Sequence, residues 1–247
     1  MGKEEISPAI KQTVISEIES GRLSQSEAAR RLCVGRTTIL ERDFYAPRPN
    51  EKWLTDVTEF KWYEGVEVHK VYLSAILDLY DRRIVSYIIS EHNDIPIVFN
   101  AFKAAVKANP DAHPLFHSDR GLRYISRIFH QMLEDAGMTQ SISRVAHCID
   151  NGPMEGFWGI LKREKYYDKR FTSGQELVQM IQDYIYYYNT ERVQRNPGVV
   201  TPMEKYQMAL AAQINIPRPS RGYFLCGRSP ALPATPHAAL VRSDISA

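Results

Sequence analysis

The chain has 247 residues, 44% of them hydrophobic and 11% aromatic, enough for one core domain of ordinary size plus an appendage or two. Its three cysteines (Cys33, Cys148, Cys226) are odd in number and never in a CxxC spacing, which argues against a disulfide framework or a zinc finger. A net charge of +2 neither demands nor excludes a polyanionic partner, the start MGKEEIS lacks a signal-peptide layout, and Asp78, Asp81, Arg82 and Arg83 interrupt the longest apolar run, so a cytoplasmic protein without a membrane partner is expected.

Residues 7–45 read as a small helical unit. Ser7-Pro8 opens a helix that Gly21 stops, and Ser24-x-x-Glu27 is a capping box for a second. After the turn Cys33-Val34-Gly35, a third helix is expected to open with Arg36-Thr37-Thr38. This is the layout of a helix-turn-helix, whose last helix enters the major groove, so Arg36, Thr37 and Thr38 are candidate DNA contacts.

Pro47 and Pro49 then break the chain. Trp53 to Phe60 alternates as a strand, and Val68 to Tyr80 and Arg83 to Ser90 read as two more, joined at Asp81-Arg82. A helix is expected over Ile95 to Ala108, a short strand over Leu115 to His117, a helix over Ser126 to Ala136 and a fifth strand over Met138 to Ile142. Asp150 or Asn151 caps the next helix, which continues through Lys165, and Ser173-x-x-Glu176 opens a long one with a buried apolar stripe. The order gives an α/β fold with a mixed central sheet. Domains are expected at 1–44 (helix-turn-helix head), 45–207 (core) and 208–247, where five prolines and a single acid suggest an irregular tail.

Three acids stand out. Asp56 sits inside a strand, Asp119 at the end of one, and Glu155 in the first turn of a helix, where the helix dipole favours its charge. A carboxylate within a central strand is costly unless paired or metal-bound, and strand ends in open α/β sheets tend to bind ligands. Singly, each acid has an ordinary structural explanation; jointly, one sheet brings them together. Such a trio is unfavourable at neutral pH unless divalent cations occupy it, which points to metal-assisted phosphoryl transfer. Residues 156–171 add five bases against two acids, a flank suited to a phosphate backbone. His117 is either a metal or phosphate contact or a structural histidine ordering the strand end.

The segments WLTDVTEF, LDLYDRRIVSYIIS, FHSDRGLRYIS and DNGPMEGFWGILKRE resemble the integrase-core (DDE) transposases of bacterial insertion sequences, of the insertion-sequence-three type. Asp119 and Glu155 are separated by 35 residues, the D-D-35-E spacing of that family, and YYNTERVQRNPGVVTPMEKY is similar to the segment that closes its catalytic domain. The resemblance implies an RNase H-like mixed five-stranded sheet flanked by helices and preceded by an all-α helix-turn-helix head. It implies Asp56, Asp119 and Glu155 as catalytic and metal-binding residues, a pair of Mg²⁺ ions for which Mn²⁺ substitutes, and Asn151 and His117 as auxiliaries. Lys162, seven residues beyond Glu155, matches a DNA-contact position, and Arg120 beside Asp119 is a further candidate. The implied activity is cleavage and strand transfer on double-stranded DNA, at element ends and target, by a homo-oligomer.

The usual leucine-zipper segment between head and core is missing, Ser143 to Ile149 departs from the family's loop, and the tail matches no family pattern, which points to a rearranged copy. Two alternatives stay open: an inactive relic or DNA-binding regulator acting through residues 7–42, and an RNase H-type nuclease on hybrid duplexes.

Overall fold

The computed structural model describes residues 44–119, 121–142, 151–195 and 198–214, together with the backbone of 37–38. The chain divides into two compact units, Met1–Thr38 and Ile39–Ala247. In the first, Thr37–Thr38 form a two-residue strand. Extended backbone thus replaces the expected opening of a third helix, as suits two β-branched residues whose side chains crowd a helical turn. The remaining helical head, Arg36 included, lies outside the described residues.

The second unit opens with an antiparallel meander: β1 (Lys52–Glu64), β2 (Glu67–Asp78) and β3 (Ile84–Ser90). Gly65 sits first in the two-residue turn between β1 and β2 with φ 59°, a conformation that a side chain there would strain. Helix α1 (Ile95–Ala108) leads to β4 (Leu115–Ser118), and α2 (Arg127–Asp135) leads to β5 (Thr139–Ile142). Both short strands run parallel to their neighbours, giving the order β5-β4-β1-β2-β3 within this unit. Helices α3 (Gly152–Leu161), α4 (Gly174–Thr190) and α5 (Pro202–Ile214) follow. Among the described residues no helix is long and apolar enough to cross a membrane.

Helix starts follow their side chains. Asp94, Ser126 and Ser173 each accept a hydrogen bond from the backbone N–H three residues on. Thr201 and Glu204 cap α5 reciprocally, at 3.1 and 2.8 Å. That helix runs to Ile214, so residues 208–214 are helical rather than irregular. Beyond Leu161, α3 does not continue as the expected α-helix through Lys165. It widens into a π-turn over Lys162–Tyr166, closed by the Tyr167 N–H donating to the Lys162 carbonyl at 2.8 Å.

Both faces of the sheet are covered, which explains why β1 is apolar on successive residues rather than alternately. Leu54 and Phe60 pack with Phe157, Trp158 and Leu161 of α3 and with Ile181 and Tyr184 of α4. Trp53 and Phe116 pack on the opposite face with Phe102 of α1 and Phe129 of α2. There the three phenylalanine rings meet edge-on at 5.4–5.7 Å, each pair adding about 0.5–1.5 kcal/mol beyond burial.

A buried charge cluster ties the far end of the meander. Asp78 accepts from the Asn50 N–H (2.6 Å) and the Trp53 indole (3.2 Å), and Asp81 accepts from the Arg83 N–H (2.9 Å) and Nε (3.2 Å). Two carboxylates share one guanidinium there, and burial pushes Asp81 up to about 7. The Arg83 guanidinium also lies 3.9 Å above the ring of Tyr206, anchoring α5.

Candidate active site

Asp56 lies within β1, paired across to Ala75 of β2. It shares its face with Leu54 and Phe60, the face that α3 covers. On the other side β4 runs parallel, with Leu54 opposite His117; Asp56 and Asp119 each lie two residues beyond that pair in their own segments. Asp119 is half-buried just past the end of β4. Its Oδ1 accepts from the Gly121 N–H at 2.8 Å, and a β-carbon at Gly121 would lie 2.9 Å from that same oxygen. The glycine is required for this close approach.

Glu155 is exposed in the first turn of α3. Trp158, three residues on and therefore on the same side of the helix, is 6% exposed and donates its indole N–H to Asp56 Oδ2 at 3.0 Å. One hydrogen bond thus joins the helix carrying Glu155 to the strand carrying Asp56. Burial, and then the negative charges of Asp119 and Glu155, push the Asp56 carboxyl up to about 6 against the hydrogen bonds from Val57 and Trp158. All three acids belong to one electrostatic neighbourhood.

The auxiliaries fall differently. Asn151 stands at the cap position of α3 without a side-chain cap bond. Its amide instead donates to the Thr55 carbonyl at 3.2 Å, correcting the expected cap. The buried Asn151 Oδ1 has no hydrogen-bond partner among the described residues. His117 is buried beneath the site with Nδ1 2.8 Å from Ser141 Oγ, the arrangement of a histidine that orders the strand end. Lys162 is half-buried, with Nζ 5.1 Å from the centre of the Phe60 ring. Burial lowers its proton affinity while Glu59 and Asp56 raise it. Arg120 and Ser143 to Ile149 lie outside the described residues. The bond from Trp158 to Asp56 was not expected from the sequence; a donor-only indole one turn from the helical acid was the available signal for it.

Three carboxylates offer hard oxygen ligands, a donor set that suits Mg²⁺ or Mn²⁺, and the repulsion of Asp56 by Asp119 and Glu155 is one that a cation would relieve. In kind, the residues fit a divalent cation. In spacing the site is open: among the described residues no three His, Cys, Asp or Glu side chains are gathered closely enough to hold a metal ion.

A mixed sheet bearing these acids beside a helix is the architecture of integrase catalytic cores. The chain is similar in fold to the catalytic core domain of HTLV-2 integrase (TM-score 0.52, 19% identity, 66% of this chain and 99% of that one). It is also similar to the simian T-cell lymphotropic virus intasome (TM-score 0.55, 15% identity, 93% and 80%). Two family models, each described as an integrase core domain, match residues 46–148 and 155–210. Over 174 residues the chain is 42% identical to the putative transposase InsK of insertion element IS150 from Escherichia coli, covering 69% of this chain and 60% of that protein. Over 165 residues it is 43% identical to a transposase-like protein of Haemophilus influenzae, covering 67% and 74%. A transposase of element IS904 from Lactococcus lactis is 33% identical over 70% of this chain and 68% of its own length. The chain belongs to the integrase-core transposases of bacterial insertion sequences, the IS3 family.

Proposed function

We propose that this chain cleaves and joins DNA strands at insertion-sequence ends in a divalent-metal-dependent reaction, with Asp56, Asp119 and Glu155 as its metal-holding carboxylates. The observation that carries the reading is the setting of Asp56: in a strand parallel to the one that leads into Asp119, bonded to the helix of Glu155, and raised in proton affinity by burial and then by both acids. The HTLV-2 core of similar fold is described in complex with magnesium, which supports the choice of ion.

Bound there, magnesium supplies the Lewis acidity that in-line displacement at phosphorus needs. Asp56 and Asp119 present oxygens from adjacent strands, and Glu155 presents its own from the edge of α3. Lys162, about two turns beyond Glu155, would meet a phosphate of the bound strand. The attacking group is water in cleavage and a DNA 3′-hydroxyl in joining, so the protein supplies no nucleophile of its own. The homologous integrase structures described as dimeric, trimeric and intasome forms support a multimer on two DNA ends.

Incubating the protein with labelled duplexes carrying the element ends tests this directly. Nicked and joined products are expected with Mg²⁺, none with chelator, and none from Asp119→Asn, which still binds the duplex. An Asp119→Asn protein that joins strands as well as the wild type overturns the assignment.

A further inference from the structure

We propose that Trp158 is a positioning residue for Asp56, fixing one carboxylate oxygen by its indole N–H so that the other is presented to the cation; this rests on the transferase reading above. The contact is directional and short, Nε1 to Oδ2 at 3.0 Å. A buried indole nitrogen can only donate and keeps its proton throughout the working range, so it always offers a donor to one carboxylate oxygen. Asp56 cannot be held this way from its own strand alone, because backbone pairing to Ala75 of β2 fixes the main chain and leaves the carboxylate free to rotate about its side-chain torsions. The indole removes that freedom. It is itself fixed by the Phe157 ring, whose centroid is 5.0 Å from its own, and Phe157 is packed edge-on against Tyr188 of α4 at 4.7 Å.

The same device appears once more in the fold. The Trp53 indole donates to Asp78 Oδ2 at 3.2 Å, but there the Asn50 and Tyr80 N–H groups also donate to the carboxylate, and the group is sealed. At Asp56 the opposite side is left half-open beside Asp119. One arrangement closes a carboxylate into the core; the other orients it outward for use.

Two substitutions separate orientation from packing. Trp158→Phe keeps an aromatic ring and removes the donor. Trp158→His keeps an N–H at the corresponding ring position and removes the outer ring. The readout is metal affinity of the DNA-free protein, taken from its thermal stabilisation across a Mg²⁺ titration, alongside melting without metal. Trp158→Phe is expected to melt near the wild type while binding Mg²⁺ about tenfold more weakly, the usual effect of losing a hydrogen bond to a metal ligand. Its joining rate should recover as Mg²⁺ is raised. Trp158→His is expected to melt lower yet keep its Mg²⁺ affinity within about threefold of wild type.

Wild-type Mg²⁺ affinity in Trp158→Phe, or affinity that follows melting temperature across both variants, overturns the proposal. If Trp158→Phe does not fold, benzothienylalanine at position 158, which has the indole outline without its N–H, replaces it under the same criteria. A wild-type protein that Mg²⁺ neither stabilises nor activates for joining overturns the transferase reading itself, and the positioning role with it.

Discussion

Asp56 lies inside β1, and Asp119 lies just past the end of β4, the strand that runs parallel beside it. That difference governs how each acid behaves. The one within the sheet has little solvent to stabilise its charge, and its ionisation opposes folding. The one past the strand end is half-buried and steadied by the Gly121 N–H.

Asp56→Asn should therefore abolish strand joining and stabilise the metal-free protein. The folded carboxyl titrates near 6, above its ordinary 3.8, so the folded state binds the proton more tightly than the unfolded state does. The cost to stability is fully present above pH 6 and is relieved as pH falls toward 3.8. At pH 7.5 the variant should gain about 1–3 kcal/mol in urea unfolding, and this gain should shrink steadily toward pH 4. A variant no more stable than wild type at pH 7.5 contradicts this account.

Arg83→Met should be among the most destabilising single changes. It strips the guanidinium from Asp78 and Asp81 in a sealed cluster and removes the stack on Tyr206. Breaking one side of a buried ion pair costs about 3–5 kcal/mol. Because Asp81 can take up a proton near pH 7, the loss should be larger at pH 8 than at pH 5.5. Denaturant midpoints at the two pH values measure it.

Lys162→Gln should weaken DNA binding without unfolding the protein, since the side chain is half-buried along the Phe60 ring and makes no ion pair that the fold requires. Plotting affinity against salt should give a slope lower by about one counterion, with the loss uniform across DNA sequences. An unchanged slope would remove Lys162 from the phosphate path.

Thr201→Ala breaks the reciprocal cap of α5 and should cost about 1 kcal/mol. The effect should appear as faster amide exchange confined to Pro202–Ile214, with the sheet unaffected.

Much of this was legible beforehand because local chemistry and global fold agree. Ile95–Ala108 could be read from Pro96 and its apolar spacing, and the strand at Leu115 from the three residues leading into Ser118-Asp119. The face of Asp56 followed from simple alternation. The π-turn at Lys162–Tyr166 was not readable, because Tyr166 is drawn out of α-register by tertiary partners: its hydroxyl accepts from the Lys61 N–H at 2.8 Å, 105 positions away in sequence. Asn151 was misread as a cap for the same reason, its amide being claimed by Thr55. The second function of Trp158 was hidden by its first, since periodicity cannot distinguish an indole that packs from one that packs and donates. The Thr201-Pro202-Met203-Glu204 cap was visible in the letters and was passed over.

The placement of the acids has one further consequence. Asp56 is held in the long ladder between β1 and β2, whereas Glu155 rides on the opening turn of a helix that meets the sheet through side chains. Any adjustment that brings the trio around a cation must come from the helical side, with the strands acting as a fixed anvil. A molecule that wedges between α3 and the sheet would therefore keep Glu155 from the two strand-borne acids.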